Sequence, residues 1–145
     1  MNILFVHQNF PGQFKHLAPA LVQQGHTVVA LHINTCLPLT GVQLVRYQPK
    51  GRSGQGTHRW LVDLESKTIR GKAAYHAARQ LKQDGFIPVV IVAHPGWGES
   101  LFCDWSGQRH GLAFIANFFT GLRAAMWVLT PSSRAPTQTR PAACN

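Results

Sequence analysis

The chain is short of acid. Only five Asp and Glu stand against 14 Lys and Arg among 145 residues, for a formal charge of +9, and charged residues total 13%. All five acids (Asp63, Glu65, Asp84, Glu99 and Asp104) lie within the first 104 residues, and the last 41 carry four Arg and no acid. Cysteine is scarce and unpaired. Cys36, Cys103 and Cys144 are far apart, no CxxC occurs, and neither a zinc knuckle nor a disulfide framework is indicated. The expected setting is therefore reducing and cytoplasmic. The sequence has no HExxH, GxSxG, SxxK, GxGxxG or Walker loop, which removes the usual signatures of zinc hydrolysis, serine chemistry and dinucleotide or nucleoside-triphosphate binding. No metal site is expected, and the histidines at 7, 16, 26, 32, 58, 76 and 110 read as surface or core residues. The apolar stretch Gly111 to Leu129 contains Asn117 and Arg123. An arginine in mid-bilayer costs about 2.5–3.5 kcal/mol or more, which argues against a membrane span.

Apolar residues are plentiful at 45%, enough for the core of one domain. Ile3 to His7 is a continuous apolar run closed by a polar residue, the pattern of a strand buried on both faces of a parallel sheet. Gln13 to Gln24 has apolar residues at helical spacing and Gly25 in the C-cap position. Pro19 inside it implies a kink or a late helix start. Thr27 to Leu31 and Val42 to Tyr47 read as strands, Leu64 to Gln83 as a helix ended by Asp84 and Gly85, and Val89 to Ala93 as a further buried strand. Strands alternating with helices predict an α/β domain with a doubly wound, Rossmann-like parallel sheet. Residues from Ser132 on, rich in Pro, Thr, Ser and Arg, are expected to lack order.

Ligands of such sheets bind beyond the carboxyl ends of the strands. Two loops fall there. HQNFPGQF places Gly12 near a helix N-terminus, where backbone N–H groups can hold a phosphate or carboxylate; a plain helix-starting turn is the simpler alternative. AHPGWGES sets His94 directly after a buried strand. Trp97 can stack on a sugar face, Gly98 permits close backbone approach, and Glu99 offers an acceptor. His94 and Trp97 each have an equally simple structural explanation, and the combination is more informative than either residue. The loop PKGRSGQGT, with Lys50, Arg52 and the nearby Arg59, can grip phosphates, although a solvated loop is the plainer reading.

MNILFVHQNFPGQFKHLAPALVQQGHTVVAL and VVIVAHPGWGES together resemble the N-terminal domain of glycosyltransferase family 4 proteins of the GT-B fold, over about residues 1–102. The resemblance implies two Rossmann-like domains facing across a cleft. The N-terminal one receives a sugar, glycan or lipid-linked acceptor, and the C-terminal one grips a nucleotide-sugar donor. Transfer retains configuration and needs no metal. It implies that Phe10, Pro11 and Gly12 approach the donor phosphates or sugar, that His94 touches the transferred sugar as the catalytic-side residue, and that Trp97, Gly98 and Glu99 line the acceptor side. No donor-binding domain is seen, so this chain is expected to bind no cofactor of its own and to be inactive alone. It would await either its missing half or a separately encoded one.

The resemblance stops after Phe102. Rereading Ala113 to Ser133 from each third base, with allowed wobble choices, gives FYCEFFYRAAGGDVGFDPEF, which is aromatic and acidic as the family's continuation should be. Residues 103–145 are therefore expected to be out of frame, outside the domain formed by 1–102. A different class remains open: a non-enzymatic basic module that binds nucleic acid or an anionic membrane. Peripheral contact at the inner membrane face is compatible with the charge.

Overall fold

A computed structural model describes residues 1–35 and 37–101, together with the strand backbones of 111–115 and 126–129. Six strands and two α-helices follow one another as β1 (Asn2–Val6), α1 (Leu17–Gln23), β2 (Thr27–His32), β3 (Val42–Arg46), α2 (Val62–Gln83), β4 (Val90–Ala93), β5 (Gly111–Ile115) and β6 (Met126–Leu129). They form one sheet of order β3-β2-β1-β4-β5-β6. The pairs from β3 through β5 are parallel, and β6 joins β5 antiparallel. This is a partial Rossmann-like, doubly wound α/β sheet, as the alternation of strands and helices implies. β5 and β6 come from the 103–145 stretch, and β5 covers the edge that β4 would otherwise expose. The remaining expectations for that stretch lie outside the described residues.

The period-two alternation of a strand distributes β1 between two cores. Leu4 and Val6 pack with Val29, Leu31, Ile91 and Ala93 beneath Ala74 and Leu81 of α2. Ile3 and Phe5 pack with Val28, Ala30 and Val92 beneath Ala18 of α1, and with Phe10 and Phe14. The second core is aromatic. Phe5 lies 5.9 Å from Phe10 and 4.9 Å from Phe14, ring centre to ring centre, and each such burial is worth about 1.5–3 kcal/mol. The first core uses the Ala-rich face of α2, including Ala73, Ala77 and Ala78, whose short side chains bring the helix close to the sheet.

Local differences from the sequence reading have local causes. A 3₁₀ turn over Gly12–Phe14 comes first, and the α-helix begins only at Leu17. Pro19 then sits in its first turn, where a missing N–H costs nothing. α2 starts two residues earlier than its apolar pattern suggests, with Asp63 and Glu65 in its first turn, favourable charges at the positive end of the helix. The 2.7 Å pair of the exposed Asp63 with the half-buried Lys67 is an i,i+4 helix pair and adds little.

Candidate functional site

β1 and β4 are direct neighbours, with Val6 opposite Ala93. Each strand is followed immediately by a histidine, so the register alone brings His7 and His94 side by side at the carboxyl edge. Their ring centres are 6.1 Å apart. Trp97 completes the group. Its ring stacks on His94 at 4.7 Å with an interplanar angle of 29° and meets His7 at 4.8 Å. Phe14 closes the other side of His7, edge-on at 5.5 Å.

The tight turn after β4 decides how His94 presents itself. His94 Nδ1 accepts a hydrogen bond from the Gly96 N–H at 3.1 Å. The neutral ring therefore carries its proton on Nε2, which is left as a donor. Burial holds the His94 imidazole below its ordinary value. His7 is likewise lowered, first by burial and then by His94, with the Asn9 backbone opposing. Both rings are thus neutral near pH 7. His7 is 5% exposed, and its Nδ1 has no hydrogen-bond partner among the described residues.

The predicted site residues occupy unequal positions. His94 and Trp97 are half-buried and meet. Phe10 is 1% exposed and belongs to the aromatic core beneath the loop, while Pro11 and Gly12 stay nearer the surface. Gly12 has φ +45°, and a Cβ there would come within 2.6 Å of His7 Cε1; the glycine leaves room for the imidazole. Gly98, at φ +96°, lies against α2, where a Cβ would fall 2.3 Å from the Lys67 carbonyl oxygen. Its lack of a side chain serves the packing of the loop on the helix. Glu99 is 2% exposed. Its Oε1 accepts from the Tyr47 hydroxyl at 3.2 Å and faces Arg70 Nε at 4.0 Å. Burial raises the Glu99 carboxyl above its usual range, outweighing the hydrogen bonds and Arg70 that act to lower it. Arg70 also donates from Nε to the Trp97 carbonyl at 3.0 Å and from a terminal nitrogen to Ser66 Oγ at 2.9 Å. The loop that carries His94 and Trp97 is thereby fastened to α2 and to the residue after β3.

His7, Arg70 and Tyr47 were not singled out from sequence. His7 had a usable signal, since it follows β1 as His94 follows β4. Arg70 and Tyr47 had none, because their roles depend on where α2 crosses the sheet. Among the described residues no group of three His, Cys, Asp or Glu is placed to hold a metal ion, and no helix is long and apolar enough to cross a membrane.

In this doubly wound sheet the adjacent central strands deliver an imidazole pair and an indole to the carboxyl edge, where ligands of such α/β domains bind. The family model of the glycosyl transferase family 4 group matches residues 24–105. The chain belongs to that family. His94, Trp97, Gly98 and Glu99 fall inside the matched span; Phe10, Pro11 and Gly12 precede it. No curated protein matches the chain.

Proposed function

We propose that this chain is the acceptor-side domain of a two-domain GT-B sugar transferase that uses a nucleotide-sugar donor, retains configuration and needs no metal. The observation that carries the reading is the stack of His94 on Trp97 beside His7, at the carboxyl edge of a family 4 domain. A neutral Nε2–H on His94 can donate to a hydroxyl of the transferred sugar, and the half-buried indole offers an apolar surface beside it. The loop at Phe10, Pro11 and Gly12 is the segment that faces a donor across the cleft, with Phe10 buried as its anchor and Gly12 at the rim. The acceptor is a sugar, a glycan or a lipid-linked glycan, met in the cytoplasm or at the inner face of the membrane.

Transfer needs groups from both halves around one transition state, since positioning and preorganised electrostatics supply most of the rate. This half alone therefore turns over negligibly, and the donor-binding half must come from a second domain. In the same reading residues 103–145 are out of frame. Sequencing the gene from codon 95 past the stop tests that part: a shifted frame running into a donor-binding domain supports it, and its absence refutes it. The chemical part is tested by supplying a donor-binding domain to the chain and measuring sugar transfer with His94 intact and with His94→Ala. An unchanged rate would remove His94 from the mechanism. The +9 charge keeps a basic, non-enzymatic module as the competing reading, and tight, steeply salt-dependent binding to random DNA would favour it.

A further inference from the structure

A second feature of the carboxyl edge lies beside the His94–Trp97 platform. An open crevice of about 470 Å³ runs between the ends of β1, β2 and β3 and the first half of α2. Gln8 lines it from the loop after β1, Gly51, Arg52 and Ser53 from the loop after β3, and Ser66 and Arg70 from α2. Its polar groups are thus two guanidinium groups, two hydroxyls and an amide, and none of its lining residues is acidic.

The local charge has the same sign. From residue 46 to residue 70 the chain carries Arg46, Lys50, Arg52, Arg59, Lys67 and Arg70 against only Asp63 and Glu65. Asp63 is paired with Lys67. Glu65 is occupied in a different way: its Oε2 accepts from the Gly54 N–H at 3.0 Å and from the Thr57 hydroxyl at 2.8 Å. Those two bonds fasten the basic loop to α2 and give Arg52 and Ser53 a fixed base. Arg52 has no hydrogen bond or ion pair among the described residues. Arg70 commits Nε to the Trp97 carbonyl, beside the Glu99 carboxyl at 4.0 Å, and one terminal nitrogen to Ser66, while its other terminal nitrogen makes no hydrogen bond among the described residues. Two arginine side chains and two serine hydroxyls lining one open space suit a tetrahedral oxyanion.

We propose that this crevice binds a phosphate group carried by the acceptor, with Arg52 and Arg70 as its cationic contacts and Ser53 and Ser66 as hydrogen-bond donors. The inference rests on the acceptor-side reading above and adds the substrate class: a phosphorylated acceptor, held by its phosphate so that a hydroxyl reaches the His94–Trp97 platform. Arg70 joins the two places directly, because the same guanidinium lines the crevice and holds the Trp97 carbonyl.

The full chain, labelled with ¹⁵N, is titrated with sodium phosphate at constant ionic strength, with chloride as the control. The expected result is a saturable response of the Gly51, Ser53 and Ser66 amides, weakened about tenfold or more by Arg52→Ala and only partly by Arg52→Lys. Arg52 is exposed and makes no hydrogen bond or ion pair among the described residues, so its variants keep the fold, which a thermal melt verifies. A response that never saturates, or one that Arg52→Ala leaves unchanged, overturns the site. Two further probes identify the source of the phosphate. Tighter binding of glucose 1-phosphate than of inorganic phosphate assigns a soluble phosphosugar. Arg52-dependent sedimentation with phosphatidylcholine vesicles containing phosphatidate assigns a lipid-borne phosphate. Either result upholds the site. The two readings fail separately. Loss of the phosphate response, with glucose still perturbing Trp97, removes the crevice alone. Loss of the glucose response, with phosphate binding intact, removes the platform alone.

Discussion

The two loops that meet at the carboxyl edge are held by opposite kinds of force. The loop after β1 is anchored by apolar burial: Phe10 and Phe14 pack around Phe5, and Gly12 clears the His7 ring. The loop after β4 is anchored by polar contacts: Glu99 accepts from the Tyr47 hydroxyl, the Trp97 carbonyl accepts from Arg70 Nε, and Gly98 clears the Lys67 backbone. The packing of Phe10 on Phe5 involves no titratable group. The polar anchoring depends on a buried carboxyl and a guanidinium, whose contributions depend on protonation and on complete pairing. His94 and Trp97 thus sit on the loop whose anchors are polar.

The sharpest way to break the contrast is to remove an anchor from each side. Phe10→Ala should cost about 3–5 kcal/mol in urea unfolding at any pH, because it empties a packed aromatic site. Gly98→Ala comes next, at about 2–4 kcal/mol, since a left-handed backbone and a clash with a main-chain oxygen cannot both relax. Glu99→Ala should cost about 1–3 kcal/mol by leaving the Tyr47 hydroxyl and Arg70 short of a partner. Glu99→Gln, which keeps an acceptor and removes a buried charge, should change stability by less than about 1 kcal/mol near pH 7. If Glu99→Gln proves as damaging as Glu99→Ala, charge and not acceptor geometry holds the second loop.

The smallest effect is a pH dependence. His7 and His94 have folded values lowered from 6.5, so the unfolded chain binds more protons just below that pH. Their contribution is complete above about 6.5 and is lost as the pH falls through the lowered folded values. Glu99, raised by burial, acts in the opposite direction over the same window, so the test is the difference between variants: in urea melts from pH 7.5 to 5 the slope of stability against pH should be less positive in His7→Gln than in the unaltered chain. An unchanged slope would mean that His7 is not desolvated as described.

Much of the fold was legible because buried parallel strands write long apolar runs. β1, β2 and β4 announced themselves this way, and Gly25 and Gly85 marked the helix ends. The start of α1 was shifted by Pro19, whose meaning depends on whether it falls in a helix's first turn or its interior. The site was legible in part. His94 and Trp97 could be singled out because they follow a buried strand in a Gly-rich loop. Glu99 was visible as an acid, but not as a buried one, since its partners Tyr47 and Arg70 come from distant segments. His7 follows β1 as His94 follows β4, but that match points to a shared site only once the pairing of β1 with β4 is known.

The central claim is that His94, stacked on Trp97, contacts the sugar being transferred. Its most direct test is the steady-state kinetics of sugar transfer by the chain joined to a donor-binding domain, comparing the unaltered sequence with His94→Ala. The account predicts a fall in kcat/KM of about 10²-fold or more, mostly in kcat, as expected for loss of a preorganised donor. An unchanged kcat/KM in a variant that melts at the same temperature would contradict it.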